Sequence, residues 1–340
     1  MTATEAYDLA CVVHLHSTYS DGTGTVPEIV AAGRKAEVDV ILLTDHDSLA
    51  ALRNGEEGDH GGVLLLVGEE VSPKGGDHYL AFGIEQEIDW RAIWPQEIPE
   101  AVRAAGGFGF AAHPFSRGSE RFKRLGTPMP FRHLDAVDGV ELWSFVTDTA
   151  EALTGIPDVI RMVVSPNRQV DHPPAGNLAE WDRMCAQRRV PAIGGLDAHQ
   201  VGKRIAGRVP LRLMSYARSF RQLRTHVLAR SRDRDGVYDA LREGRAYIAM
   251  DALAPASGFE FGAGELEMGA EAKAAGQTLR VRAPRPCRLR LLRDGEVVAS
   301  AEGDSLEHVA AGPGVYRAEA RLDAFGRERT WVLTNPIYLR

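Results

Sequence analysis

The residues best able to do chemistry in this chain stand at the ends of apolar runs. His14 and His16 close "ACVVHLH", and Asp21 follows in a small polar turn. Asp45-His46-Asp47 closes "VDVILLTDHD", and Glu69-Glu70 closes "GVLLLVGEE". His113-Pro114 closes "GFGFAAHP", Asp197-Ala198-His199 closes "VPAIGGLDAH", and His78 opens "HYLAFGI". Imidazole mixed with carboxylate suits zinc, manganese or iron better than calcium or magnesium. Six such histidines with three or four carboxylates exceed what one ion needs. The expectation is therefore two or three divalent metal ions (Zn, Mn or Fe) sharing a bridging carboxylate. In a strand, residues i and i+2 face the same way. His14 with His16, and Asp197 with His199, are thus each placed to grip a metal as a pair. Any one fragment also reads as structure: "TDHD" as a capped turn, Asp197-Ala198-His199 as a buried ion pair. Jointly they put ligand-type residues at five successive strand ends and almost nowhere mid-strand, and that pattern carries the functional reading.

The elements that must position these residues follow from hydrophobic spacing. Up to about residue 250 the chain alternates short continuous apolar runs with helical segments, which indicates a mainly parallel sheet covered by helices. Thr25-Val26-Pro27-Glu28 reads as a capping box, and Ile29, Val30, Ala32 and Ala36 follow at helical spacing. Asn177-Leu178-Ala179-Glu180 reads as a second box, opening "LAEWDRMCAQRR". "DGVELWSF" is a candidate strand, and 147–176 has no clear assignment. In a parallel α/β barrel the C-terminal strand ends meet at one mouth, where function is built. Beyond residue 250 a Gly- and Ala-rich stretch leads into "TLRVRA", "RLRLLRDG", "EVVASA", "GVYRAEARLD" and "RTWVLTNPIYLR". These alternate with period two, as an antiparallel, sandwich-like module does. The expected domains are 1–252 and 253–340.

With 340 residues, 44% hydrophobic, the chain can bury a large core. A net charge of −7 excludes a general nucleic-acid or membrane-surface binder. Nucleic acid is expected only as a short or terminal nucleotide substrate. Cys11, Cys185 and Cys287 are few, odd in number and far apart, which suits small buried thiols in a reducing compartment. No cationic segment followed by an apolar run opens the chain, and no run reaches the length of a membrane span. The expected location is cytoplasmic. Trp143, Trp181 and Trp331 read as core or interface residues. His60, His133, His172, His226 and His308 lack strand-end partners and read as surface or core histidines, with His133 worth watching because it leads into a strand.

"HLHSTYSDG", "TDHD", "GEEVS", "HYLAFG", "AAHPF" and "GGLDAH" resemble, in order over residues 10–200, the motifs of the PHP (polymerase and histidinol phosphatase) domain. The resemblance implies a distorted (β/α)7 barrel with a trinuclear metal centre. It implies one ion on His14, His16, Glu70 and Asp197, and a second sharing Glu70 with His78 and His113. A third would take Asp21, His46 and His199. The family's Gly-x-Glu-hydrophobic-Ser spacing selects Glu70, leaving Glu69 facing away. The C-terminal "GPGVYRAEARLD … RTWVLTNPIYLR" is similar to a tail on some PHP-type hydrolases, in a branch related to carbaryl hydrolase that cleaves carbamate or carboxylic esters. The implied reaction is attack on an ester by metal-bound hydroxide, with Asp197 and His199 the first candidates for proton transfer. Asp45 and Asp47 are placed to orient ligand histidines. Arg117 and Arg121 after His113-Pro114, and Lys203 and Arg204 after His199, would leave loops at the mouth, and such residues grip phosphate. From Lys203 to Arg234 ten basic residues meet one acid, a run more often a solvated face than a polyanion contact. The favoured function is a phosphoesterase acting on a small-molecule ester, a phosphomonoester or nucleotide. The alternative is a carboxylic or carbamate ester or amide hydrolase on the same centre. A non-catalytic metal-stabilised module is disfavoured by the complete ligand set.

Overall fold

Each apolar run becomes a strand in the computed structural model, which describes residues 6–119, 128–168, 171–200, 202–205, 209–212, 214–274 and 276–340. The chain divides into two compact units, one from 10–170 with 194–224, the other from 1–9, 171–193 and 225–340.

In the first unit, residues 11–13 of the strand Tyr7–Val13 run parallel to Val40–His46, which runs parallel to Leu64–Val71. Their burial is nearly continuous along the strand rather than alternating, as expected when both faces are covered. Tyr79–Phe82 then pairs antiparallel with Leu64–Val71 and with Phe108–Ala111. Phe108–Ala111 runs parallel to Gly139–Ser144, so the candidate strand "DGVELWSF" is real. On the other side, residues 194–198 lie beside 13–16. Leu196 N–H donates to Val13 O, and His16 N–H to Ala198 O. The sheet is thus mixed: Tyr79–Phe82 runs against its neighbours, and for that reason its first residues, not its last, lie at the same end as the other ligand-bearing residues.

The helix Val26–Ala36 starts as its sequence says. Thr25 is extended at the cap, and Glu28 accepts from the Thr25 N–H at 3.0 Å. Val26, Ile29, Val30, Gly33 and Ala36 face inward, spaced three and four apart. The second capping box is not used. The helix Ala175–Gln187 begins two residues before Asn177, which is buried inside its first turn. The unassigned stretch holds helices Phe145–Glu151 and Ile156–Val164 and a 3-10 turn Pro166–Arg168.

The second unit carries the long antiparallel strands. Thr278–Arg293 pairs with Glu296–Val309 and Gly314–Ala324, which pairs with Arg327–Thr334 and Ile337–Leu339. "TLRVRA" and "RLRLLRDG" form one strand, not two. Its register slips between Arg282 and Cys287, where Pro284 and Pro286 have no amide to give to a ladder. Asp294 (φ 52°) and Gly295 (φ 86°) make the tight turn to Glu296, the left-handed pair that a two-residue hairpin requires. Phe261, Leu279, Leu289, Leu291 and Trp331 form part of its core. Trp143, Trp181 and Trp331 are all buried, as are the three free cysteines. His226 is a satisfied core histidine: Nδ1 lies 2.9 Å from Asp8 Oδ1, and Nε2 lies 3.2 Å from Asp251 Oδ2. His133 is exposed. Among the described residues no helix is long and apolar enough to cross a membrane.

Candidate metal centre

The first strand ends at Val13 because His14 turns left-handed, with φ 64°. His113 (φ 32°) and Asp197 (φ 51°) do the same just beyond their own strands. Such backbone costs a non-glycine residue roughly 1–3 kcal/mol and persists only where surrounding contacts impose it. The pairing of His14 with His16 therefore does not come from the alternation of an extended strand. It comes from this turn, held by Leu15 bridging Ala198. His14 Nε2 and His16 Nε2 each lie 3.3 Å from Glu70 Oε2 and 3.6 Å from Asp197 Oδ1.

Glu70 stands opposite His46 in the strand register. Its Oε2 is 3.0 Å from His46 Nδ1, and its Oε1 is 2.8 Å from His78 Nδ1 and 3.3 Å from His113 Nε2. Asp21 Oδ1 lies 3.1 Å from His199 Nε2 and 3.7 Å from His46 Nε2. Asp197 and His199 consequently split between clusters rather than acting as one pincer, since the left-handed turn at Asp197 breaks strand alternation. Among the described residues four interlocking groups result, the candidate ligand atoms of each lying within 4.8 Å of one another: His14, His16 and Glu70; His14, His113 and Asp197; His46, Glu70 and His78; His16, Asp21, His46 and His199. All nine residues expected as ligands occur among them.

Adjacent glutamates have opposite fates. Burial pushes the Glu70 carboxyl up, but His14, His113 and His46 around it hold it well below the usual range. Glu69 points the other way and accepts from the Ile88 N–H at 3.1 Å, and burial raises it to about 8. Asp197 is likewise held well below the carboxylate range, with His14 and His16 overcoming its burial. Burial lowers His16 to about 4, which keeps its imidazole neutral. Among the described residues, His14 Nε2, both nitrogens of His16 and Glu70 Oε2 are buried with no hydrogen-bond partner. Buried polar atoms are rarely left so. Burial pulls His14 down, but the carboxylates of Glu141, Glu70 and Asp197 around it raise it well above the usual imidazole range. Orphaned imidazole nitrogens and ionised carboxylate gathered at one place fit a divalent cation.

The groups that hold these ligands differ from those expected. Asp45 does not touch a histidine. It accepts from Ser17 N–H (2.7 Å), Ser17 Oγ (2.7 Å) and Ser20 Oγ (2.6 Å), tying down the loop that carries Asp21. Asp47 accepts from the Ser72 N–H and the Trp90 indole, both at 2.9 Å, and it is Ser72 Oγ that meets His46 Nδ1, at 2.7 Å. Thr147 Oγ donates to Asp197 Oδ2 at 2.9 Å. Tyr216 donates to His16 O at 2.6 Å. Glu141 lies 3.0 Å from His14 Nδ1. Its one sequence signal is a lone carboxylate inside the apolar "GVELW".

Arg117 is exposed, on a turn whose amides at Arg117 and Gly118 donate to Glu151 at 2.7 Å. Arg121 lies outside the described residues. Lys203 and Arg204 sit in a short strand, Gly202–Ile205, paired antiparallel with Val209–Arg212, rather than in an open loop. Their side chains lie outside the described residues. Within the basic run, Arg218, Arg221 and Arg224 donate to the carbonyls of Val164, Lys35 and Ala36. That is local anchoring, not an anion-facing stripe.

No family model matches the chain. It is 32% identical over 80 residues to a phosphoribosyl 1,2-cyclic phosphate 1,2-diphosphodiesterase of Eggerthella lenta, covering 22% of this chain and 30% of that protein. The chain thus spans under a third of that relative's length. It is 24% identical over 119 residues to an uncharacterized protein of Methanocaldococcus jannaschii, covering 31% of this chain and 67% of that one. A crystal structure of a two-domain protein from Bacteroides vulgatus, containing a predicted PHP-like metal-dependent phosphoesterase, aligns over 98% of this chain and 96% of that one, at 16% identity and a TM-score of 0.46.

Proposed function

We infer that this chain, which over 80 residues is similar to a phosphoribosyl 1,2-cyclic phosphate 1,2-diphosphodiesterase, is itself a metal-dependent hydrolase of phosphate esters. The observation that carries the reading is the set of orphaned donors, His14 Nε2, His16 Nε2 and Glu70 Oε2, buried together at the strand ends. In this reading His14, His16, Glu70 and Asp197 hold one ion. His78 and His113 hold a second with Glu70, and Asp21, His46 and His199 a third. The ions are zinc, manganese or iron. When bound, such cations acidify water toward neutral pH and offset charge on the oxygens of the reacting group.

The protein's own groups divide the remaining work. His14, His16 and Glu70 are closed off from solvent, whereas the side chains of Asp21, His46 and His199 are 60%, 29% and 23% exposed. A closed cluster holds and an open one reacts, so the ester approaches at Asp21, His46 and His199. The Asp197 carbonyl lies 3.1 Å from His199 Nδ1, which favours a proton there and directs Nε2 toward Asp21. His199 Nε2 is thus presented as a lone pair beside Asp21, where it would hold the ion, and the leaving oxygen takes its proton from solvent at this exposed rim. Asp197, held through both oxygens by Thr147 and the first two histidines, orients more than it transfers. Arg117 and Arg121, with Lys203 and Arg204, bind the phosphate oxygens; guanidinium does so in a bidentate fork. The substrate class is a small phosphomonoester or a nucleotide, and three buried free thiols suit a cytoplasmic setting.

The test is turnover of p-nitrophenyl phosphate by metal-analysed protein. His14→Ala should abolish turnover while the far-UV spectrum stays that of the parent. Arg117→Ala should raise KM about tenfold with little change in kcat, the loss of about one charged hydrogen bond. Full activity in metal-replete His14→Ala protein would contradict the assignment.

A further inference from the structure

We propose that Glu141 is a positioning residue that sets two ligands of the centre at once, His14 through its ring and His113 through its backbone, and that position 195 is glycine to leave room for it. The inference rests on the metal-centre reading above and adds a residue outside the nine expected ligands.

Glu141 sits inside the strand Gly139–Ser144, 1% exposed, among apolar neighbours. Its two oxygens are used separately. Oε1 lies 3.0 Å from His14 Nδ1, and Oε2 accepts the His113 N–H at 2.6 Å. A carboxylate accepts at both oxygens and donates at neither. In the neutral ring this favours the His14 proton on Nδ1 and leaves Nε2 as a lone pair facing Glu70 and Asp197, where among the described residues it has no hydrogen-bond partner. An imidazole ligand held this way has its tautomer and its ring direction fixed from behind. The second contact is of another kind. His113 is a left-handed residue, and the bond to its N–H holds the backbone that delivers its Nε2 to Glu70 Oε1. One side chain therefore links a residue of the His14, His16 and Glu70 group with one that meets the other oxygen of Glu70.

Gly195 supplies the independent observation. Its φ is not in the left-handed region, so conformational freedom does not explain the glycine. Space does. A Cβ there would lie 2.8 Å from Glu141 Cδ, 3.0 Å from His14 Cβ, and would overlap Glu141 Oε1. The second glycine of "GGLDAH" thus serves a carboxylate more than fifty residues earlier in the chain.

The experiment compares metal-free wild-type protein with Glu141→Gln, Glu141→Ala and Gly195→Ala. Each is titrated with Mn²⁺ and with Zn²⁺ against a chromophoric chelator, ions are counted by elemental analysis, and thermal unfolding is recorded without metal. Glutamine keeps the shape but presents an acceptor at one end only, so it can satisfy His14 or His113 and not both. The expected result is binding weakened about 10–100-fold in Glu141→Gln, more in Glu141→Ala, with more than one ion affected. The metal-free midpoint of Glu141→Gln should stay near that of the parent. Wild-type affinity and stoichiometry in folded Glu141→Gln and Gly195→Ala proteins would overturn the inference alone. A wild-type protein that takes up neither ion would overturn the metal-centre reading and the inference with it.

Discussion

Adding one methyl group at position 195 should damage the metal centre without replacing a ligand, although it also crowds His14 Cβ at 3.0 Å. The new Cβ of Gly195→Ala would meet Glu141 Cδ at 2.8 Å, whereas carbon atoms settle at about 3.5–4.0 Å. The carboxylate must retreat by about 1 Å. Its 3.0 Å contact with His14 Nδ1 would then open to about 4 Å, too long for a hydrogen bond. A bond to a charged group is worth about 1.5–3 kcal/mol, which corresponds to a loss of about 10–100-fold in the affinity of any ion that His14 helps to hold. The assay is Mn²⁺ or Zn²⁺ titration followed by kcat/KM at saturating metal. A double-mutant cycle sharpens it: Glu141→Asp withdraws the carboxylate by one methylene, so Gly195→Ala on that background should cost clearly less than on the parent. Additive losses in the cycle, or a folded Gly195→Ala protein with parental affinity, would refute the reasoning.

Two further outcomes follow from groups away from the ions. Burial pulls the His226 imidazole down, but hydrogen bonds to Asp251 and Asp8 overcome it and raise it from 6.5 to about 9. The stability it contributes is full below pH 6.5 and lost as pH rises through 9, and the difference in pKa corresponds to about 3 kcal/mol. In metal-replete protein the destabilisation caused by His226→Asn, measured by urea unfolding, should be largest near pH 6 and shrink by about that amount by pH 10; a pH-independent difference would refute this. Asp45→Ala should leave Ser17 and Ser20 without their acceptor and cost about 2 kcal/mol, while raising KM more than it lowers kcat, because the loop it frees carries the exposed Asp21; steady-state kinetics with unchanged KM would count against that.

The ligand types were legible because chemistry at a strand end interrupts an apolar run, and all nine expected residues meet in the structure. How they meet was not. Alternation in a strand predicts a shared face for His14 and His16, but the left-handed turns at His14 and Asp197 do that work, and such turns have no signature in a non-glycine residue. Strand direction was equally hidden: "HYLAFG" reads the same in a parallel or an antiparallel strand, and only pairing to Glu69–Val71 on one side and Phe108–Ala111 on the other sets it. Glu141 carries no comparable sequence signal because its partners, His14 and His113, are far away in sequence. Asp45 and Asp47 flank His46 in sequence, yet serine hydroxyls and backbone amides reach them first. Asn177 and Glu180 satisfy a capping pattern that the helix, already begun at Ala175, does not need. The C-terminal strands were clear from period two, and only the proline-bearing slip at residues 282–287 disguised one long strand as two.

The most direct test of the central claim is p-nitrophenol release from its phosphate and from its acetate by the same protein, stripped of metal, restored with Mn²⁺ or Zn²⁺, and compared with Asp197→Asn. The account predicts turnover of the phosphate that appears only on metal restoration and is absent in Asp197→Asn. Turnover confined to the acetate, or phosphate release equal in the stripped protein and in Asp197→Asn, would contradict it.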